Sequence, residues 1–153
     1  MIGGGQGSFI GEIHRRCISS DQKARLVAGD FSRGYQNTLE TGAILGVSEE
    51  RLYKSYQEMA EAEGQREDKV DFVVIVTPNH LHYPVAKAFL QQEIHVVSDK
   101  PLTPELGDAE ELAQLAKEND LLFCVTYTYT GYPMEEHALE MVKRGDIGES
   151  PFV

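Results

Sequence analysis

No apolar stretch in the sequence approaches the roughly 20 residues needed to cross a bilayer, and the N-terminus lacks the basic-then-apolar order of an export signal. Both absences point to a cytoplasmic protein with no membrane partner. Cysteine is scarce: Cys17 and Cys124 stand far apart in apolar sequence surroundings, which argues against a disulfide framework or a zinc knuckle and fits reduced thiols. Basic residues are outnumbered, 14 Lys and Arg against 25 Asp and Glu, so the formal net charge of -11 repels nucleic acid and anionic lipid. Internal repeats and low-complexity tracts are absent too. What is present is 153 residues with 41% hydrophobic content, about one domain with a sizeable core.

Short β-branched runs alternate with longer stretches of helical period, the sequence form of βα units wound around a parallel sheet. Ser8 to about Ile18 reads as a helix, residues 24–29 as a strand, and Tyr35 to Leu45 as a helix closed by Gly46. Arg51 to Lys54 reads as a short strand and Tyr56 to Glu63 as a short helix ending at Gly64. The clearest strand is Asp71 to Thr77, whose unbroken Phe72-Val73-Val74-Ile75-Val76 run suits a central position covered on both faces. Pro84 falls in the first turn of a helix reaching about Gln92. Ile94 to Ser98 is the next strand, and Thr103, with Pro104 behind it, is the expected N-cap of a helix to Asn119. Leu121 to Thr126 is a further strand. Pro133 opens a last helix, with Met134, Ala138, Met141 and Val142 as its inner stripe and Lys143 and Arg144 before Gly145 at the negative end of its dipole.

The stretch "IGGGQGSFIG", Ile2 to Gly11, sets glycines directly ahead of a helix, where backbone N–H groups approach a pyrophosphate lying on the helix's positive end. Read as G-x-G-x-x-G, Gly3 and Gly5 fit but Ser8 takes the third place; starting from Gly5 and Gly7, the last glycine is Gly11. Phe9 and Ile10 then offer first-turn amides. The bland alternative is a flexible N-terminal turn. Asp30 lies about 25 residues beyond Gly5, close to where an acidic side chain meets the adenosine ribose hydroxyls, and otherwise it is a solvated turn residue. Ser32 and Arg33 follow it and suit a 2′-phosphate, so NAD and NADP both stay open. A dinucleotide fold also needs about five or six apolar residues as a first strand leading into the glycines, and only Met1 and Ile2 precede Gly3. The sheet is therefore expected to have an unfilled slot.

Ligands of an open parallel sheet bind outside the carboxyl ends of its strands. "TPNHLH", Thr77 to His82, ends one strand and "SDKPLT", Ser98 to Thr103, ends the next, so two strand tips are expected to face one crevice. His80 and His82 lie two apart with no third or fourth ligand at helical or hairpin spacing, so no metal site is expected. No Tyr-x-x-x-Lys pair accompanies Tyr127 and Tyr129, which disfavours the short-chain dehydrogenase mechanism.

Together the glycine loop, the T-P-N-x-x-H turn, the D-K-P turn and the Tyr127 to Pro133 segment resemble the Gfo/Idh/MocA oxidoreductase family over essentially the whole chain. The resemblance implies an α/β Rossmann-type, doubly wound parallel sheet binding NAD or NADP over residues 1–148, its first strand largely missing. Residues 149–153 would begin a C-terminal α+β substrate domain absent from the sequence. It implies reversible oxidation of a sugar or polyol hydroxyl, this small molecule being the partner of the full-length protein. A homo-oligomer is compatible with it, because the sheet face that pairs subunits in the family lies in the second domain. Thr77, Pro78 and Asn79 would run along the ribose and nicotinamide side, with His82 at the following helix start, while Tyr127 and Tyr129 either line the nicotinamide pocket or only pack against the next domain. Where the family has Glu-Lys-Pro this chain has Asp99-Lys100-Pro101; Lys100 is the expected catalytic residue, and the Lys-Pro peptide is expected to be cis. An ammonium beside the reacting oxygen stabilises developing alkoxide or relays its proton. The chain alone is expected to hold cofactor without turnover. A non-catalytic dinucleotide-binding regulatory module and an inactive fragment are the alternatives, and a sensor has no need of Lys100.

Overall fold

Four parallel strands, Ile2–Gly3 (β1), Phe72–Val76 (β2), His95–Ser98 (β3) and Phe123–Val125 (β4), pair side by side in that order in a computed structural model that describes residues 1–149. The register sets Ile2 opposite Ile75, Val74 opposite Val97 and Val97 opposite Cys124. Beyond β1 the sheet continues only as isolated parallel bridges, Ile2 to Asp30 and Gly29 to Leu52. The chain thus winds outward from β1 and returns to its other side at β2, which makes the β1/β2 edge the point where direction reverses.

Helices Phe9–Ser19 (α1), Tyr35–Leu45 (α2), Tyr56–Gly64 (α3), His82–Leu90 (α4), Leu106–Glu118 (α5) and Pro133–Arg144 (α6) connect the strands. The alternation along β2 divides the core. Val73 and Ile75 join Met59, Val85, Phe89, Leu90 and Leu112 on the α3–α4–α5 side. Val74 and Val76 join Met1, Phe31 and Leu52 on the other, with Ile10 of α1 and Leu39 of α2 packed against them. The unbroken apolar run is thereby explained: both faces of β2 are covered.

Several expectations are corrected. Residues 24–29 and 51–54 form no strands but contribute single bridges, and Glu49–Arg51 coils into a 3-10 turn. The reason lies in β1: the Met1 nitrogen donates to the Ala28 carbonyl at 2.9 Å, and behind it residues 24–27 have no neighbouring strand among the described residues. The expectation for Pro84 holds, since α4 begins at His82 and Pro84 sits in its first turn. α5 begins at Leu106 after Glu105, and Thr103 does not cap it, because its hydroxyl donates to the Glu105 carbonyl at 2.7 Å. α6 buries none of its residues, so the stripe of Met134, Ala138, Met141 and Val142 is not an inner one among the described residues. The expected start of a second domain at residues 149–153 lies, apart from Glu149, outside the described residues.

A cavity of about 450 Å³ lies between residues 24–28 and 70–72, closed at one end by Met1. Burial pushes the Met1 amine down to about 5, despite the opposing pull of Glu63 and Asp30. An extension of five alternating apolar residues ahead of Met1 turns that amine into an amide and gives both flanks a partner. It is expected to raise the thermal midpoint by about 10 °C, since one buried aliphatic side chain contributes about 1.5–3 kcal/mol. A glycine-serine extension of equal length, compared by calorimetry, should give little of that gain.

Near this cavity, Glu63 is fully buried and saturated: Arg51 donates to both its oxygens, the Tyr53 hydroxyl donates at 2.8 Å and the Val70 N–H at 3.2 Å. Burial and this carboxylate push the Tyr53 phenol up. The network ties α3 to the entry of β2 and to the Leu52 bridge.

Candidate cofactor-binding crevice

Three glycines of the loop take the left-handed backbone, Gly3 and Gly4 at φ +79° and Gly7 at +80°. Two of the close approaches are decisive. A Cβ on Gly3 would stand 2.8 Å from the Val76 carbonyl oxygen, and one on Gly11 would stand 2.4 Å from the Gly4 Cα. Gly11, in the first turn of α1, therefore lets the helix rest on the loop, while Ser8 is the N-cap whose hydroxyl accepts from the Gly11 N–H at 3.2 Å. The imperfect sequence register is resolved in this way: the close-packing glycine is Gly11 and Ser8 caps.

The loop's amides divide into used and free. Gly3 donates to the Asp30 carbonyl (2.8 Å), Gly5 to the Phe31 carbonyl (3.0 Å), Gln6 to the Thr41 hydroxyl (3.2 Å) and Ser8 to the Gly5 carbonyl (3.0 Å). The N–H groups of Gly7, Phe9 and Ile10 have no acceptor among the described residues. They lie at the positive end of α1, where an anion is favoured. Arg15, further along the same helix, donates to the Gly4 carbonyl and fixes the loop against α1.

A crevice of about 680 Å³ opens above this edge of the sheet. It brings together Gly3, Gly5, Gly7, Ser8, Asp30, Ser32, Arg33, Thr77 and Pro78 of the expected site. Burial pushes the Asp30 carboxyl up to about 6, against the Met1 ammonium and the Ser32 backbone N–H, which favour its charged form. It is therefore mostly ionised at neutral pH and able to accept from hydroxyls. The Thr77 hydroxyl is buried with no hydrogen-bond partner among the described residues. Asn37, Lys54, Ser55 and Tyr56 also line the crevice and were missed. The one signal for them was Ser55-x-x-Glu58, a capping pattern at the tip of an expected strand; Ser55 does accept from the Glu58 N–H at 3.2 Å.

The second strand tip stands next to this crevice without lining it. Asp99 follows β3, its N–H donating to the Ile75 carbonyl at 2.9 Å, and the Lys100-Pro101 peptide is cis. The Asp99 carboxylate accepts from the Thr126 hydroxyl at 3.0 Å and lies 3.7 Å from His14 Nε2. Lys100 is exposed, and its amine makes no hydrogen bond or ion pair among the described residues. Asn79 is exposed in a 3-10 turn, Tyr127 is half exposed, and His82 is buried with both ring nitrogens on backbone carbonyls. Cys17 and Cys124 are both exposed and unpaired. Among the described residues no cluster of His, Cys, Asp or Glu can hold a metal, and no helix is long and apolar enough to cross a membrane.

Comparison with known proteins adds to this geometry. The family model GFO_IDH_MocA, an oxidoreductase family with an NAD-binding Rossmann fold, matches residues 1–127. An uncharacterised oxidoreductase of Bacillus subtilis, YfiI, is 36% identical over 97% of this chain and 38% of its own length. An oxidoreductase from Sinorhizobium meliloti superposes with a TM-score of 0.85 at 45% identity, over 97% of this chain and 41% of that one. An inositol dehydrogenase homolog from Azotobacter vinelandii, complexed with NADH and myo-inositol, superposes with a TM-score of 0.91 at 40% identity, over 97% and 39%. The chain thus spans about two fifths of the length of these relatives.

Proposed function

We propose, from the premise that this chain belongs to the Gfo/Idh/MocA oxidoreductase family, that it is the NAD-holding part of an enzyme moving a hydride between nicotinamide and a sugar or polyol carbinol carbon. The observation that carries this reading is one crevice lined by Gly7, whose amide is unpaired, and by Thr77, whose hydroxyl is orphaned among the described residues, with the free amides of Phe9 and Ile10 in the helix turn that follows Ser8 on its rim. A diphosphate fits the amides, and a ribose or carboxamide oxygen fits the hydroxyl. The Azotobacter relative, complexed with both NADH and myo-inositol, supports a polyol substrate. Bound nicotinamide supplies the hydride acceptor or donor. The chain's own residues do the rest: the glycine loop aims the diphosphate, Asp30 orients the adenosine ribose, and the free amine of Lys100 takes or returns the hydroxyl proton.

Asp30 also favours NAD over NADP, because an ionised carboxylate repels a 2′-phosphate where it accepts from a 2′-hydroxyl. Arg33 and Lys54 on the same rim moderate that repulsion without reversing it. Fluorescence titration is expected to show NADH bound about tenfold or more tightly than NADPH at pH 7.5, a difference of about 1.4 kcal/mol or more. NADH affinity should fall as pH drops through about 6, where Asp30 gains its proton and loses the charge that the ribose hydroxyl donates to. Equal affinity for the two cofactors, or a flat profile between pH 5 and 8, contradicts this role of Asp30.

A further inference from the structure

We propose that His82 is a positioning residue: its imidazole ties the turn after β2 to the turn after β3, and so sets where the amine of Lys100 stands. The inference rests on the functional reading above only for what Lys100 does, not for the tie itself. His82 is the first residue of α4 and is 1% exposed. Nδ1 lies 2.6 Å from the Pro101 carbonyl oxygen and Nε2 lies 3.1 Å from the Thr77 carbonyl oxygen; both partners are acceptors, so the ring donates to both only with a proton on each nitrogen, and with one proton it donates to one and packs against the other. Among the described residues no other side chain is hydrogen-bonded to both turns.

The consequence differs on the two sides. Thr77 lines the crevice and has its carbonyl turned to the imidazole, while its buried hydroxyl has no partner among the described residues, so the ring orients a residue of the crevice wall. Lys100 is exposed and its amine has no hydrogen bond or ion pair among the described residues, so its backbone directs the side chain. That backbone is held on one side by Asp99, through Thr126 and the Ile75 carbonyl, and on the other by the Pro101 carbonyl on His82. Removing the imidazole frees the second hold and takes this partner from the Pro101 carbonyl.

Backbone NMR of the cofactor-free chain tests the tie directly. His82→Leu is expected to move the Lys100 and Leu102 amide resonances together with those of Asn79 and His80. His82→Asn, which keeps a donor near the position of Nδ1, is expected to leave Lys100 and Leu102 close to wild type. His82→Gln, which keeps a donor near Nε2, is expected to restore only the Asn79 side and serves as the second variant if leucine prevents folding. The proposal is overturned if Lys100 and Leu102 stay in place in the leucine or glutamine variant, or if asparagine displaces them as far. With cofactor, His82→Gln, which keeps the Thr77 side of the tie, should leave NAD and ADP-ribose affinity both within about twofold. Equal weakening of both ligands would mark a general structural role and refute positioning. Failure of wild-type protein to bind either ligand would count against the functional reading, while the cofactor-free spectra would still decide the tie.

Discussion

Alanine in place of Gly11 is expected to weaken NAD binding by at least about 100-fold, a loss of about 2.7 kcal/mol, measured by calorimetric or fluorescence titration. The new methyl would stand 2.4 Å from the Gly4 Cα and 2.8 Å from its carbonyl oxygen, and both neighbours are backbone that cannot rotate aside. α1 must then lift from the loop, and the Arg15 contact to Gly4 lifts with it. Gly7, Phe9 and Ile10 lose their common aim, because two of the three ride on the helix and one on the loop. Overpacking of this kind also costs stability, about 1–3 kcal/mol. Gly34→Ala is the control. It has open space around its Cβ position and an ordinary φ of -92°, so affinity and midpoint should both stay near wild type.

Methionine in place of Lys100 is expected to lower turnover of the complete oxidoreductase by about 10²–10⁴-fold, the range removed with a general acid-base group. Methionine keeps an unbranched side chain and removes the ammonium. Lys100 is exposed and has no partner among the described residues, so neither stability nor NAD affinity depends on it; the dissociation constant should stay within about twofold. A matched loss of affinity and rate would mean that Lys100 holds cofactor instead of moving a proton. Undiminished turnover would remove it from the chemistry altogether.

The sequence disclosed the parts whose cause is local. Phe72 to Val76 reads as a buried strand because no polar residue interrupts it, and the strand forms there with both faces covered. The helix ends at Gly46 and Gly145 follow from glycine's freedom to take φ near +70° to +77°. Asp30 and the glycine loop converge on one crevice as their spacing suggested. What stayed hidden depends on distant partners. Residues 24–29 have strand-like composition, but a strand needs a neighbour, and the ladder beside them ends at Met1. The α6 stripe has helical period, which specifies a face without saying what the face meets. The sequence left two registers open for the glycine loop, and only the packing distance between α1 and Gly4 tells that Gly11 is the position that must lack a side chain. His82 was legible as a helix-start residue, yet its two carbonyl partners lie 5 residues before it and 19 after it, beyond any local pattern.

The central claim is that NAD lies across the glycine loop and the Thr77 turn, held by amides and a hydroxyl that have no partner among the described residues. Titration of the ¹⁵N-labelled chain with NAD, followed by amide correlation spectra, tests it most directly. The account predicts saturable, one-to-one shifts centred on Gly7, Phe9, Ile10 and Thr77, with α5 and α6 unmoved. Absence of shifts at saturating NAD, or shifts gathered instead around residues 24–28 and 70–72, would contradict it.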